Sequence, residues 1–347
     1  LRYIHFGHGS GLRVSQLALG TAMFGSRWGY GCDPGEAIRI FDAYVERGGN
    51  FIDTADSYQY GEAEEVLADF VAPKRHELLL ASKYTMQPAP ERPLLSIGNA
   101  RKNLVQSVEG SLARLKTDRI DLLWVHMPDG VTSIDEIMRG LDDLVRAGKI
   151  LYIGLSDFPA WRTARASTLA ELRGWAPVCA VQFEYSLLER TADREIIPMA
   201  EAFGLGMAGW SPLGGGMLSG KYRRGEEGRA TAFPKLVQFE DSSERTTVLD
   251  TLLAVADDVG AAPSQVAIAW AMSRGIMPIL GPRTHAQMLD TLGATEIELS
   301  SEQKGQLDAA SAVSLGFPHE LMAQPAQVKR LGGGIPERVA ALPRPVM

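Results

Sequence analysis

The chain has 347 residues, 45% hydrophobic and 22% charged, which is ordinary globular usage with enough apolar surface for a large core. A net charge of -7 excludes the broadly basic surface that nucleic acids and anionic membranes require, though not a single basic pocket. Two cysteines, Cys32 and Cys179, exclude a disulfide framework or a cysteine-based zinc site and fit a reducing cytoplasm. No apolar run reaches the length of a bilayer span (about 18 residues), and the start of the chain has no charged-then-apolar signal pattern.

In chain order, residues 1–16 read as a hairpin, with the Gly-rich stretch Gly7–Gly11 as its turn. Apolar runs of strand composition follow at 17–21 (LALGT), 50–54 (NFIDT), 77–83 (ELLLASK) and 120–126 (IDLLWVH). Four more lie at 150–156 (ILYIGLS), 179–183 (CAVQF), 206–211 (GMAGWS) and 275–281 (GIMPILG). Amphipathic helices are expected between them at Pro34–Arg47, Glu62–Val71, Arg101–Leu115, Ser133–Ala147, Trp161–Leu172, Ala192–Phe203 and Pro263–Ser273. Asp33 is a natural N-cap for the first, with Pro34 at its first position and Gly48-Gly49 at its end.

Strands that are apolar on both faces and alternate with helices make a parallel sheet covered on both sides, and eight of them close a (β/α)8 barrel. One barrel domain is therefore expected over 1–347: the hairpin 1–16, a core 17–312 and an irregular extension 313–347 that could fold over the barrel. Additional helices are expected at Thr246–Val259 and Leu299–Ala312, and the long Gly-rich, charged loop Leu213–Glu244 has the length of a functional one.

Barrel chemistry collects at the C-terminal ends of the strands. Those ends read Thr21, Asp53, Lys83, His126, Ser156-Asp157, Gln182, Trp210-Ser211 and Gly281. Each has an ordinary reading alone (a turn cap, a snorkelling lysine, a satisfied core histidine), but their arrival at one rim is not explained that way. Asp53, Lys83 and His126 end the second, third and fourth strands, and Tyr58 lies five residues past Asp53. A lysine beside a phenol is expected to lower the tyrosine pKa from about 10, giving a usable general acid. His126 would polarise a carbonyl oxygen. No nucleophile or metal is needed.

At these residues the chain resembles the aldo-keto reductase superfamily, over roughly residues 10–312. The resemblance rests on FIDTADSYQYGEAE, LLLASKY, RLKTDRIDLLWVHMPD, GKILYIGLSDF, VQFEYSLLER, GWSPLGGGMLSGKY and ILGPRTHAQMLDTLGA, in that order. It implies a catalytic tetrad of Asp53, Tyr58, Lys83 and His126 that reduces an aldehyde or ketone with NADP(H). It also implies that Thr21 and Asp53 border the cofactor, that Ser156, Asp157 and Gln182 bind the carboxamide, and that Trp210 stacks on the nicotinamide. Ser211, Leu213, Gly214, Gly216 and Lys221 would wrap the pyrophosphate, and Gly281, Arg283, Gln287, Asp290 and Thr291 would hold the adenosine end. Arg283 is a natural bidentate partner for a 2′-phosphate, hence the preference for NADP. Many relatives have Asn where this chain has Asp157.

Phe24, Trp28, Tyr58, His126 and Met127 are candidates for an apolar substrate pocket. The stretch Gly204–Gly209 matches GxGxxG, but a helix precedes it and it is itself a strand, so it reads as a helix C-cap rather than a dinucleotide fingerprint. His5 and His8 read as hairpin residues away from the site. The alternative function is a cofactor-binding interaction module of the potassium-channel β-subunit type, which has the same fold. A metal-dependent hydrolase would need more histidine and carboxylate ligands at the rim than these strand ends supply.

Overall fold

The computed structural model describes residues 1–86, 89, 91, 93–229 and 239–338. Parts of the long loop 213–244 and of the extension 313–347 thus lie outside the described residues. Two short strands, β1 (Tyr3–His5) and β2 (Arg13–Ser15), pair antiparallel as the expected hairpin. Eight strands then form a closed, all-parallel barrel: β3 (Ala18–Gly20), β4 (Phe51–Asp53), β5 (Leu79–Tyr84), β6 (Ile120–Val125), β7 (Ile150–Ser156), β8 (Val178–Glu184), β9 (Gly206–Trp210) and β10 (Met277–Leu280). Strand β10 closes the ring by pairing with both β9 and β3.

The inside of the barrel is a packed core of Phe51, Leu79, Leu122, Trp124, Ala180 and their neighbours. The hairpin plugs its N-terminal end. Phe6 is buried there, with its ring edge-on to Phe51 at 5.4 Å, and the His8 amide donates to the Gly204 carbonyl at 2.7 Å. The close approach explains Gly206, where a Cβ would lie 2.8 Å from the Phe6 ring.

Helices follow the apolar periodicity. Asp33 caps α1 (Pro34–Glu46) by accepting from the Glu36 amide at 2.9 Å, and α2 (Glu62–Val71), α3 (Arg101–Leu115), α4 (Ile134–Arg146) and α5 (Ala160–Arg173) match their expected spans within about two residues. The expected helix Ala192–Phe203 is broken instead into a 3-10 turn, Thr191–Asp193, and α6, Ile196–Ala202. Pro198 is the cause: it has no amide to donate, and its ring would clash with the Arg194 carbonyl of a continuous helix. Gly204 then turns left-handed (φ 65°) into β9, the helix end expected for that glycine-rich stretch.

Helices α7 (Ser243–Val259) and α8 (Pro263–Ser273) precede β10, and α9 (His285–Leu292) follows it, capped by Thr284. The sequence reading had no helix at that last position. After α10 (Ser301–Ala310), the extension carries two short helices, α11 (His319–Met322) and α12 (Pro325–Leu331), where irregular chain was expected. It is held beside α6, with Arg194 donating to the Ser314 carbonyl at 2.7 Å and His319 paired with Glu195 at 2.8 Å. Among the described residues, none of the extension lines the barrel mouth. No single helix among the described residues is long and apolar enough to cross a membrane.

Candidate active site

A cavity of about 1320 Å³ opens at the C-terminal ends of the barrel strands, where Asp53, His126, Ser156, Gln182, Trp210 and Gly281 face it. Strand alternation aims these side chains inward, and parallel pairing delivers them to the same rim.

At its floor, Lys83 is fully buried and pairs with the Asp53 carboxylate. Its Nζ also donates to the Thr54 carbonyl and to Tyr58 Oη, each at 3.1 Å. The Tyr58 ring meets the His126 ring edge-on at 5.8 Å. The four residues expected to form a cluster are therefore in contact one after the next, from Asp53 through Lys83 and Tyr58 to His126. Burial pushes the Tyr58 phenol above its ordinary value, and the lysine only partly offsets this. The expectation of a net lowering is thus corrected: desolvation of the phenolate outweighs the neighbouring cation, so Tyr58 holds its proton at neutral pH. Burial alone would lower Lys83, but Asp53 and Tyr58 keep it above the ordinary lysine value and cationic. His126 is held well below its usual range by burial and by Lys83, so its imidazole is neutral.

Beside this cluster, Gln182 donates to Asp53 Oδ1 at 3.1 Å. Ser156 Oγ is buried without a hydrogen-bond partner among the described residues, an orphan that a ligand amide would satisfy. The Trp210 indole donates to Asp157 Oδ1 at 3.0 Å, and burial raises the Asp157 carboxyl to about 6. Asp157 and Ser211 both sit in left-handed backbone (φ 56°), a conformation that non-glycine residues adopt at a cost and that is concentrated at functional sites.

Past Trp210 the chain makes a tight left-handed run, Gly214, Gly215 and Gly216, tied by the Gly215 amide donating to Ser211 Oγ at 3.2 Å. Gly216 (φ 100°) holds a backbone conformation that residues with a side chain rarely adopt, which is why glycine stands there. Lys221 is held below the usual ammonium value, first by burial and then by repulsion from Arg229 and Arg283. Arg283 stacks over the Tyr30 ring at 4.7 Å and has a buried Nε without a hydrogen-bond partner among the described residues. Three cations gathered at one wall fit a polyanionic ligand. Arg229 was missed by the sequence reading. It lies in the stretch 213–244, whose sequence has no clear helical or strand period, and nothing local indicated that Arg229 reaches the cavity.

Most other expected site residues line the cavity as well: Leu213, Gln287, Asp290, Thr291, Trp28 and Met127. Three do not. Phe24 is fully buried in the core outside the barrel, and its neighbour Met23 faces the cavity instead. Thr21 is also fully buried, its hydroxyl donating to the Asp53 carbonyl at 3.2 Å, while Gly20 and Ala22 reach the lining. Gly214 turns beneath the surface and leaves Gly215 and Gly216 on it. Among the described residues no group of histidine, cysteine and carboxylate side chains could hold a metal ion.

The closed parallel barrel thus carries Lys83 and Asp53 buried beneath its mouth, Tyr58 and His126 partly exposed to the cavity above them, and a cationic wall beside them. Residues 16–312 match the model of the aldo/keto reductase family. A norsolorinic acid reductase of Emericella nidulans is 36% identical, over 92% of this chain and 84% of that protein. An aryl-alcohol dehydrogenase [NADP(+)] of Phanerodontia chrysosporium is 33% identical over 92% and 88%, and an uncharacterized oxidoreductase of Bacillus subtilis is 36% identical over 87% and 93%. The chain belongs to the aldo/keto reductase family, whose members are oxidoreductases that generally use a nicotinamide cofactor.

Proposed function

We propose that this protein is an NADP(H)-dependent reductase of aromatic aldehydes or ketones, with Tyr58 as the general acid. The observation that carries the reading is Tyr58 Oη 3.1 Å from the Nζ of a buried Lys83 that Asp53 holds in place. When bound, the nicotinamide supplies a hydride to the carbonyl carbon. The rest is the work of the chain. The neutral His126 imidazole keeps one N–H with which to hold the carbonyl oxygen. Tyr58 gives its proton to that oxygen as alkoxide charge develops, and Lys83 stabilises the phenolate left behind, an interaction that strengthens only as the reaction proceeds. Alcohol oxidation runs the same steps in reverse.

Ser156, Gln182 and Trp210 would hold the nicotinamide end, and Lys221, Arg229 and Arg283 the phosphates. The concentration of positive charge favours NADP over NAD. An aromatic substrate is supported by the rings of Trp28, Tyr60 and Trp210 in the lining and by the names of the relatives, which act on aryl alcohols and norsolorinic acid. The test is NADPH and NADH oxidation across a panel of aliphatic and aryl carbonyls, with Tyr58→Phe alongside. That variant is expected to bind NADPH and lose most turnover; retained turnover would exclude Tyr58 as the acid. A wild-type protein that binds NADPH but oxidises it with no carbonyl would point instead to the interaction module.

A further inference from the structure

Gln59, next to the catalytic Tyr58, is fully buried, yet its side-chain amide bonds nothing in its own segment. It reaches into the loop that follows β3. Its Nε2 donates to the carbonyls of Ala22 (3.0 Å) and Tyr30 (2.9 Å), and its Oε1 accepts from the Trp28 amide at 2.8 Å. All three bonds cross about thirty residues of sequence to main-chain atoms of one loop, 22–30, so they fix its course independently of its side chains. The backbone is shaped to allow this. Gln59 and Tyr60 are consecutive non-glycine residues in left-handed conformation (φ 50° and 53°). Gly31 leaves room for the amide, since a Cβ there would lie 3.1 Å from Gln59 Nε2 and far too close to the Gly25 carbonyl. Glu62 adds a second tie from the same segment, accepting from the amides of Ser26 (2.7 Å) and Arg27 (2.9 Å).

The clamped loop places Trp28 in the cavity wall, edge-on to the Tyr58 ring at 6.1 Å and to the Tyr60 ring at 6.4 Å. Resting on the carbonyl-reductase reading above, we infer that Gln59 is a specificity-positioning residue. By tying the 22–30 backbone to the segment that carries Tyr58, it holds the Trp28 face at a fixed place relative to the acid, so that a flat aryl substrate is seated with its carbonyl at Tyr58. Gln59 touches no reacting atom in this account. A small aliphatic aldehyde that does not use the Trp28 face should be indifferent to it.

The experiment compares wild type, Gln59→Ala, Trp28→Ala and the double variant with benzaldehyde-type and short aliphatic aldehydes. In Gln59→Ala, KM for the aryl substrate is expected to rise about tenfold, the scale of losing several buried hydrogen bonds with partial relaxation, with kcat changed less than about threefold. KM for the aliphatic substrate and NADPH affinity should stay within about threefold of wild type. In the Trp28→Ala background, Gln59→Ala should add little further, because its effect runs through Trp28. Additive effects, or an equal loss for both substrates, would overturn the inference. Should Gln59→Ala fail to fold, Gln59→Met fills the same volume without the hydrogen bonds and serves in its place. Hydrogen exchange supplies a readout without turnover: exchange over 22–30 should quicken in the Gln59 variant while β4 and β5 stay protected, and unchanged exchange there would sink the clamp. A wild type with no reductase activity but a quickened 22–30 segment in the variant would refute the functional reading and leave the clamp standing.

Discussion

The Trp210 indole N–H donates to the Asp157 carboxyl at 3.0 Å, which fixes the orientation of the ring facing the cavity through an acid whose own pKa is raised to about 6. Burial raises it, while the Trp210 bond and Lys83 pull the other way. Because the neutral form is favoured in the fold, the contribution of Asp157 to stability is complete below the ordinary aspartate value. It declines as pH rises from there through about 6. The same titration should appear in cofactor preference. Oxidised nicotinamide is cationic and reduced nicotinamide is not, so ionising Asp157 favours the oxidised form by roughly 1 kcal/mol, the scale of a partly screened charge pair. The ratio of NADP⁺ to NADPH dissociation constants should therefore fall about fivefold between pH 5 and pH 7. Asp157→Asn should flatten this profile. A variant with the wild-type slope would show that Asp157 is not the titrating group.

Lys221, Arg229 and Arg283 repel one another in the absence of an anion, and Lys221 is held below its usual value partly for that reason. Arg283→Ala removes the guanidinium stacked on Tyr30, whose Nε has no hydrogen-bond partner among the described residues. NADPH affinity should fall roughly 10- to 100-fold, the range for a charge-assisted hydrogen bond, and NADH affinity by less than about threefold. Binding assays with both cofactors at two salt concentrations check this. The NADPH preference of the wild type should also weaken as salt rises. An equal loss for both cofactors would place Arg283 away from the 2′-phosphate.

The barrel was legible in the sequence because its signal is local. Runs such as 122–125 (LLWV) are apolar on both faces and end at His126, so the strand, its burial and the polar residue at its end all appear in one short window. Asp53, Lys83 and His126 could be brought together from strand order alone. What stayed hidden depends on the course of loops. Phe24 and Met23 differ by one position, and only the turn between β3 and α1 decides which faces the cavity. The polar side chain of Gln59 gave no indication of its partners, which lie about thirty residues upstream on main-chain atoms. The sense of the Tyr58 shift was also beyond the sequence, since it depends on how completely the phenol is desolvated and not merely on which residue lies beside it.

Lys83 and Asp53 form a buried ion pair whose remaining bonds are satisfied, Lys83 by Thr54 and Tyr58 and Asp53 by Gln182. Removing one partner leaves the other charge buried without its counterion. Lys83→Met should therefore destabilise the protein by about 3–5 kcal/mol, and Asp53→Asn should also cost stability, whereas the double variant should recover much of the loss, because a neutral buried pair is often tolerated. The coupling is read by denaturant unfolding of all four proteins in a double-mutant cycle. Turnover should not recover with stability. Without the cation, the phenolate that forms at Tyr58 has no adjacent positive charge, so the stable double variant should remain inactive in carbonyl reduction. A double variant that regains both stability and turnover would remove Lys83 from the mechanism and leave the pair a structural one.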